Sequence, residues 1–382
     1  MNMEMIENYF KGKTKNLSFI ELKEDSFIEV NDYTIEDYIP LPIITDVLVE
    51  EINKGKIYEE IKISHIIEGI IYTLGVDSNF KYRDKYIEIL FAYNCEIKDY
   101  IFNKGMIFLT ESNYELAIVY FRALINIDSE NINGMFNYGI CLEEKAKNLI
   151  RIGREEEGEV FLKEATKYFE TILDISENYS LAYYKLGYHY KYFGQFLKAK
   201  IIWERFLLLD DDKERKQEIR EEIASIEDDS NYEEGLNLFY SGKYDRALEK
   251  FINLKIKHEN WWNLEYMIGL CFKEAGNLEE SIEHFNNGIE LNGDVVDLYN
   301  ELGICLFSIG KFKEAIEAFT IGIDKDENDY KIICNRGVVY YQLGLYDVAT
   351  LDIERAYKLA PQDEIVKRFK MNLDEIKRIN NV

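Results

Sequence analysis

Bulky apolar residues run through this chain as short helical stripes broken by turn signals, and beyond residue 98 the stripes recur at a fixed distance. Counted from Gly105, glycines return at Gly139, Gly187, Gly235, Gly269, Gly303 and Gly337, at intervals of 34, 48, 48, 34, 34 and 34 residues. Each long interval exceeds the short one by 14. Twelve residues after most of these glycines stands a small residue: Ala117, Ala199, Ala247, Ser281, Ala315 and Ala349. Four further on stands a bulky one: Phe121, Trp203, Phe251, Phe285, Phe319 and Ile353. Between them lies a turn signal, as in Gly194-Gln195-Phe196, Gly242-Lys243-Tyr244 and Gly310-Lys311-Phe312. A period of this length predicts one pair of short antiparallel helices per repeat. The glycine and the small residue are expected to face each other where the helices approach most closely. The bulky residue is expected to fill the space between one repeat and the next. The second glycine ends the first helix. One pair cannot bury its own apolar stripe, so neighbours must stack.

Two departures from the period predict extra structure. The second repeat carries 14 additional residues between Gly139 and Ala165, spanning the charged, helix-favouring Lys145 to Val160. Shared between two helices, they add about two turns to each, roughly 10 Å, and predict a protruding, solvated hairpin. After the third repeat, Asp211 to Ser230 places Ile219, Ile223 and Ile226 at helical spacing, which predicts one additional helix. The acidic run Asp210-Asp211-Asp212 lacks the spacing and glycine of a calcium loop and reads as a helix N-cap. Beyond Pro361, a helix from Asp363 to about Ile379 with Ile365, Phe369, Leu373 and Ile376 on one stripe is expected to cap the array.

The first 97 residues do not follow the period. Leu17 to Leu22 and Ser26 to Val30 are β-favouring runs separated by Lys23-Glu24-Asp25, which predicts a hairpin. Pro42 is expected to open a helix running to about Asn53 and closed by Gly55. Two further helices are expected near Glu59 to Leu74 and Tyr82 to Ile97, stacked on the first repeat.

Composition narrows the class of function. Of 382 residues 47% are apolar and only 3 are proline, which suits many long helices. Lys plus Arg total 46 against 72 Asp plus Glu, a formal charge of -26. Such a charge repels phosphate backbones and anionic lipid, so neither nucleic acid nor a membrane surface is the expected partner. No window approaches 18 uninterrupted apolar residues and the N-terminus has no basic, then apolar leader pattern, so a cytoplasmic protein is expected. Cys95, Cys141, Cys271, Cys305 and Cys334 form no C-x-x-C pair and read as reduced, buried core residues. His65, His189, His258 and His284 show no metal-ligand spacing and read as half-buried helix residues. No nucleophile elbow, dinucleotide fingerprint or phosphate loop is present, so neither an enzyme nor a cofactor or metal site is expected.

The repeats resemble those of tetratricopeptide repeat proteins. The third carries Tyr183, Leu186, Gly187, Tyr190, Gly194, Phe196, Ala199 and Trp203 of that pattern, and the sixth Tyr299, Leu302, Gly303, Gly310, Phe312, Ala315 and Phe319. The seventh keeps the terminal proline, Pro361. The resemblance covers residues 98 to about 361 and implies an all-α, right-handed superhelical solenoid of about seven helix pairs. Residues 1–97 would be an atypical, mostly helical cap, 98–210 repeats one to three, and 211–230 the extra helix. Residues 231–361 would be repeats four to seven, and 362–382 the C-terminal capping helix.

In this family the first helices line a concave groove, with ligand contacts at the second, fifth, sixth, ninth and twelfth positions when the glycine is the eighth. The fifth positions here are Phe102, Phe136, Tyr184, Tyr232, Tyr266, Asn300 and Cys334, and Asn103, Asn137, Lys185 and Asn335 stand at sixth positions. The resemblance implies that the amides bond a peptide main chain while the rings, with Tyr188, grip its side chains. The same rings can instead complete the packing between repeats. In the first subarray Asn103, Asn137, Phe136, Tyr184, Lys185 and Tyr188 are expected to project freely, so that substitution leaves the fold intact. The carboxylate-binding version of the groove needs lysine at a fifth position, where this chain has Phe102 and Tyr184. The expected function is a non-enzymatic scaffold that binds a protein or peptide segment. The alternative is a peptide-sensing regulator of a signalling partner, similar to bacterial peptide-pheromone receptors. The partner's identity and the oligomeric state are not given by these residues.

Overall fold

The computed structural model describes residues 2–53 and 62–380, in two compact units that divide after Ile223. The first unit opens with α1 (Asn2–Lys11) and a 3-10 turn, Thr14–Asn16. Four short strands follow: β1 (Leu17–Ile20), β2 (Phe27–Val30), β3 (Tyr33–Glu36) and β4 (Leu41–Ile44). Then come α2 (Thr45–Asn53), α3 (Ile63–Val76) and α4 (Arg83–Tyr93). Both β-favouring runs are strands, but they do not pair with each other. β1 pairs antiparallel with β4, and β2 with β3. The tight connection is Asn31-Asp32, with Asn31 at φ 53°, while Lys23-Glu24-Asp25 only leads from one sheet to the other.

Pro42 therefore does not open a helix. It sits inside β4, in a two-stranded sheet whose free edge tolerates a missing N–H. Gly55 and the start of the helix expected from Glu59 lie outside the described residues. α3 buries Ile66, Ile67, Ile70, Ile71 and Leu74 against Leu41 and Ile43 of β4. A Cβ at Gly69 would stand 2.0 Å from the Pro42 carbonyl oxygen, so only glycine lets this helix lie on that strand.

The repeats of the first unit are α5 (Ile97–Thr110) with α6 (Tyr114–Ile127), α7 (Ile132–Arg151) with α8 (Glu155–Ile175), and α9 (Ser180–Tyr192) with α10 (Phe196–Leu209). The 14-residue insertion lengthens α7 and α8 to 20 and 21 residues. The hairpin is not merely solvated, however. Leu149, Val160, Phe161 and Leu162 are buried, and α1 packs on its flank with Phe10 and Ile6. The Tyr9 ring meets Phe161 edge-on at 5.3 Å, and the Arg122 guanidinium lies 4.0 Å from the centre of the Phe10 ring.

The α1 contact closes on Glu115 of α6, which accepts hydrogen bonds from Tyr9 Oη (2.7 Å), Lys13 Nζ (2.5 Å) and Lys145 Nζ (2.7 Å). Burial opposes the charge of Glu115, but these three donors overcome it and hold the carboxyl down to about 2, from 4.5. A folded-state value below the unfolded one contributes stability that is present above about pH 4.5 and lost as the pH falls toward 2. The urea midpoint of the parent should exceed that of Glu115→Gln at pH 7, and the difference should shrink across that window.

Past α10, α11 (Lys213–Ser225) carries the first unit to its end. Asp212 caps it by accepting from the amides of Glu214 (3.0 Å) and Arg215 (2.9 Å), as the acidic run implied. Asp210 is 4% exposed and is held by Arg215 Nη2 (3.1 Å) and Ser180 Oγ (3.0 Å). Tyr184 of α9 donates to Glu218 of α11, one repeat length further on, so α11 stands beside α9 where the first helix of a further repeat would stand. Ile226 ends the predicted helix one residue after Ser225, with φ -111° and ψ 10°, and starts the next.

The second unit contains four pairs: α12 (Glu227–Tyr240) with α13 (Tyr244–Lys257), α14 (Trp262–Glu274) with α15 (Leu278–Leu291), α16 (Val296–Ser308) with α17 (Phe312–Lys325), and α18 (Tyr330–Gln342) with α19 (Tyr346–Leu359). The capping helix α20 (Glu364–Asn380) begins on Asp363, whose carboxylate accepts from the amides of Ile365 and Val366, both at 3.0 Å. Its buried stripe is Val366 and Leu373 with Phe369 partly covered, whereas Ile365 is 54% exposed. The predicted stripe was one residue out of phase at its first position.

The spacing of glycine, small residue and bulky residue carries a contact beyond those expected, between the glycine and the bulky side chain. A Cβ at Gly105, Gly139, Gly235, Gly269 or Gly303 would strike the ring of Phe121, Phe169, Phe251, Phe285 or Phe319, and at Gly187 that of Trp203. The bulky residue thus lies across the glycine of its own repeat, and Phe285 also joins the buried core of the following pair with Leu298 and Tyr299. The small residue does approach the glycine backbone: Ser281 Oγ donates to the Gly269 carbonyl at 2.8 Å. The loop glycines Gly194, Gly242, Gly276, Gly310 and Gly344 all have φ between 67° and 83°, and Ser112 takes that conformation in the first repeat at 58°.

Candidate functional site

The groove positions lie on the first helices of the repeats, α5, α7 and α9 in the first unit and α12, α14, α16 and α18 in the second. Their fifth-position rings are half-buried and lean on the second helix of the same repeat. Ring centres lie 5.9 Å apart for Phe102 and Phe121, 5.5 Å for Phe136 and Phe169, and 5.5 Å for Tyr184 and Phe206. In the second unit Tyr232 lies 5.7 Å from Phe251 and Tyr266 lies 6.0 Å from Phe285. These rings therefore complete repeat packing with one side and remain accessible on the other. Trp261, which the repeat pattern did not single out, stacks on Tyr232 at 4.9 Å.

Among the polar positions, Asn103 is exposed as expected. Asn137 donates back to the Asn133 carbonyl of its own helix at 2.9 Å. Lys185 is not free: its Nζ lies 3.0 Å from Glu143, which Lys147 also meets at 2.7 Å and His189 Nε2 at 3.7 Å. Glu143 is 7% exposed. Burial opposes its charge, but His189, Lys185 and Lys147 keep its carboxyl well below the usual carboxylate range. Tyr184 and Tyr188 both donate to Glu218. Substitution of Phe136, Tyr184, Lys185 or Tyr188 would therefore disturb packing or an ion pair, contrary to the expectation of freely projecting side chains.

Cations on this face are matched within the chain. Lys191 meets Glu222 at 2.6 Å, Lys273 meets Glu301 at 2.7 Å, and Lys104 meets Glu68 at 3.1 Å. In the second unit, the amides stand together. Asn335 Nδ2 donates to Asn300 Oδ1 at 2.8 Å, which links two successive first helices. The Asn335 carbonyl oxygen retains acceptor capacity and its amide a second N–H.

Glu143, Glu218 and Trp261 were missed in the sequence for physical reasons. Glu143 stands beside the insertion that breaks the period, and Glu218 lies on a helix without the marker glycine. A usable signal was charge complementarity, with acid and base exchanged between Glu143/Lys185 and Lys273/Glu301. Of the histidines, His284 Nδ1 lies 2.6 Å from Glu265, His258 Nε2 lies 2.7 Å from Asp228 beyond the end of α13, and His189 is buried outright. Cys141, Cys271, Cys305 and Cys334 are buried, whereas Cys95 is exposed, against expectation. Burial pushes the thiols of Cys141, Cys271 and Cys334 up to about 12. Among the described residues no group of three His, Cys, Asp or Glu side chains is placed to hold a metal ion, and no helix is long and apolar enough to cross a membrane.

Two family models, each described as tetratricopeptide repeat, match the chain: one over residues 266–330, the other over 99–131 and 330–363. No curated protein matches it. Solved structures that it resembles include the Arabidopsis OM64 TPR domain, 20% identical over 30% of this chain and 94% of that one, with a TM-score of 0.29. YrrB, a TPR protein with an unusual peptide-binding site, is 16% identical over 66% of this chain and 97% of that one, with a TM-score of 0.28. The APC/C hetero-tetramer Cut9-Hcn1 is 14% identical over 86% of this chain and 66% of that one, with a TM-score of 0.40. A 34-residue period, built in each repeat as a glycine under a bulky side chain and matched by these repeat models in both units, makes this chain a tetratricopeptide repeat protein.

Proposed function

We propose that the chain is a non-catalytic scaffold that holds an extended segment of a partner protein along the first-helix face of its second unit. The observation that carries this reading is the Asn300–Asn335 amide pair, flanked on the same face by Tyr266 and by Tyr232 with its stacked Trp261. Paired amides of this kind keep donors and acceptors for a peptide main chain, and half-buried rings supply apolar contact at low entropic cost. In the first unit Lys185 is already engaged by Glu143, and Tyr184 and Tyr188 by Glu218, which leaves Asn103 as an isolated exposed amide. The matched lysines also argue against a ligand recognised chiefly through its carboxylates.

The test uses the full chain as bait in lysate of the source organism, beside Asn300→Ala/Asn335→Ala and Asn103→Ala/Asn137→Ala. A partner retained by the parent and lost by the first variant is the expected result. Each lost neutral hydrogen bond contributes about 1 kcal/mol, so titration of that partner should show binding weakened on the order of 10- to 30-fold. Equal affinity for the first variant, with loss in the second, would move the site to the first unit.

A further inference from the structure

The second helices of the second unit are bridged at two of their joints and left open at the one between them. Between α13 and α15, buried Glu265 of α14 takes Lys255 Nζ on one side and His284 Nδ1 on the other, both at 2.6 Å. Between α17 and α19, Arg336 of α18 donates to Thr320 Oγ1 at 3.0 Å and to both carboxylate oxygens of Asp352 at 2.8 Å. Between α15 and α17 the equivalent positions hold Tyr299 in place of Glu265, and Leu302 in place of Arg336. Tyr299 turns its hydroxyl to the Gly293 carbonyl at 3.1 Å, and Leu302 has nothing to donate. The residue matching His284 and Asp352 is Ala318.

The result is a groove of about 470 Å³ with Leu302 and Leu306 on its floor. Its walls are Ile282, Asn286 and Ile289 from α15 and Glu314, Ala318 and Ile321 from α17. Both sets are spaced i, i+4, i+7, so two parallel ridges about 10 Å long face each other across the gap. That is the receptor geometry for a third helix, whose own side-chain ridge fits between them. Glu314 of the α17 ridge and Glu317 are exposed lining residues of the groove. Glu279, Glu283 and Glu290 are exposed on the flank of α15 next to its wall residues. None of these five carboxylates has an ion-pair partner among the described residues, and Lys311 is the single lining cation opposed to them.

We infer that this groove, on the second-helix side and apart from the peptide face proposed above, docks a basic amphipathic helix of a partner protein. Its apolar stripe would enter over Leu302 and Ala318, and its lysines or arginines would meet the carboxylates on both banks.

The probe is a fluorescein-labelled 14-residue peptide with leucines at i, i+3, i+4 and i+7 and lysines on the other faces. Two controls replace the leucines with serine or the lysines with glutamate. Titrations at 0.15 M salt, where exposed charges are screened beyond about 8 Å, should show saturable binding of the Lys/Leu peptide to the parent. The controls should bind at least 10-fold more weakly. Ala318→Phe fills the groove and should cost at least 10-fold. Ile321→Lys, at an exposed position that leaves the fold intact, should cost a similar factor, and circular dichroism of both variants should match the parent. Glu314→Lys/Glu317→Lys should reverse the preference toward the glutamate peptide. Absence of binding, or equal binding by the parent and Ile321→Lys, would overturn the inference. So would concentration-dependent dimerisation of the parent that Ala318→Phe abolishes, because the occupant would then be a second copy of the chain.

Discussion

Gly303→Leu should destabilise the second unit by about 3 kcal/mol, the upper end of the overpacking range, or more. A Cβ at Gly303 would already lie 2.4 Å from Phe319 Cε1 and 2.6 Å from Cζ, and the Phe319 ring is 1% exposed with no room to move aside. Leucine adds three further carbons into the same contact. In a stacked array each repeat touches only its neighbours, so the loss should remain local. Hydrogen exchange should accelerate in α16 and α17 and, less strongly, in the flanking pairs, while α5 to α8 keep the parent's rates. Unchanged exchange in α16 and α17 would contradict the assignment of this glycine to the ring contact.

Asp352→Ala should cost about 3 kcal/mol, because it leaves a mostly buried guanidinium with Thr320 as its remaining partner. The pair is bidentate, and its side chains are 17% exposed for Arg336 and 9% for Asp352. The preceding joint of the array shows what an apolar solution looks like, since Leu302 and Ala318 stand at the same two positions. The double variant Arg336→Leu/Asp352→Ala copies that arrangement and should recover most of the loss. A double-mutant cycle by urea denaturation reads the coupling directly. If the double variant is as unstable as Asp352→Ala alone, the cost does not come from the stranded charge.

The helix pairs were legible in the chain because glycine, small residue and ring recur at fixed offsets, and those offsets follow from how two helices pack within each repeat. Partners across long sequence separation were not. Leu17 to Ile20 reads as a strand from its own residues, but nothing in it names Leu41–Ile44 as its neighbour. Pro42 has a fixed φ that suits a helix start as well as a free sheet edge, and tertiary context chose the edge. Likewise, Ile6 and Phe10 lie four apart on one face of α1, yet only the folded chain shows that this face covers the lengthened α7–α8 hairpin. The candidate site divides in the same way. Tyr232, Tyr266, Asn300 and Asn335 were found by position in the repeat, whereas the carboxylates that engage Lys185, Tyr184 and Tyr188 come from an insertion and from a helix outside the period.

A partner on the first-helix face of the second unit would shield Tyr232, Trp261 and Tyr266 from solvent, and hydroxyl-radical footprinting with mass spectrometry reads that shielding residue by residue. With the partner from the capture experiment at saturation, oxidation of Tyr232, Trp261 and Tyr266 should fall several-fold. Met371, 70% exposed on the capping helix, should be oxidised as in the free chain. Protection of Met371 with no change at Tyr232, Trp261 and Tyr266 would place the partner elsewhere.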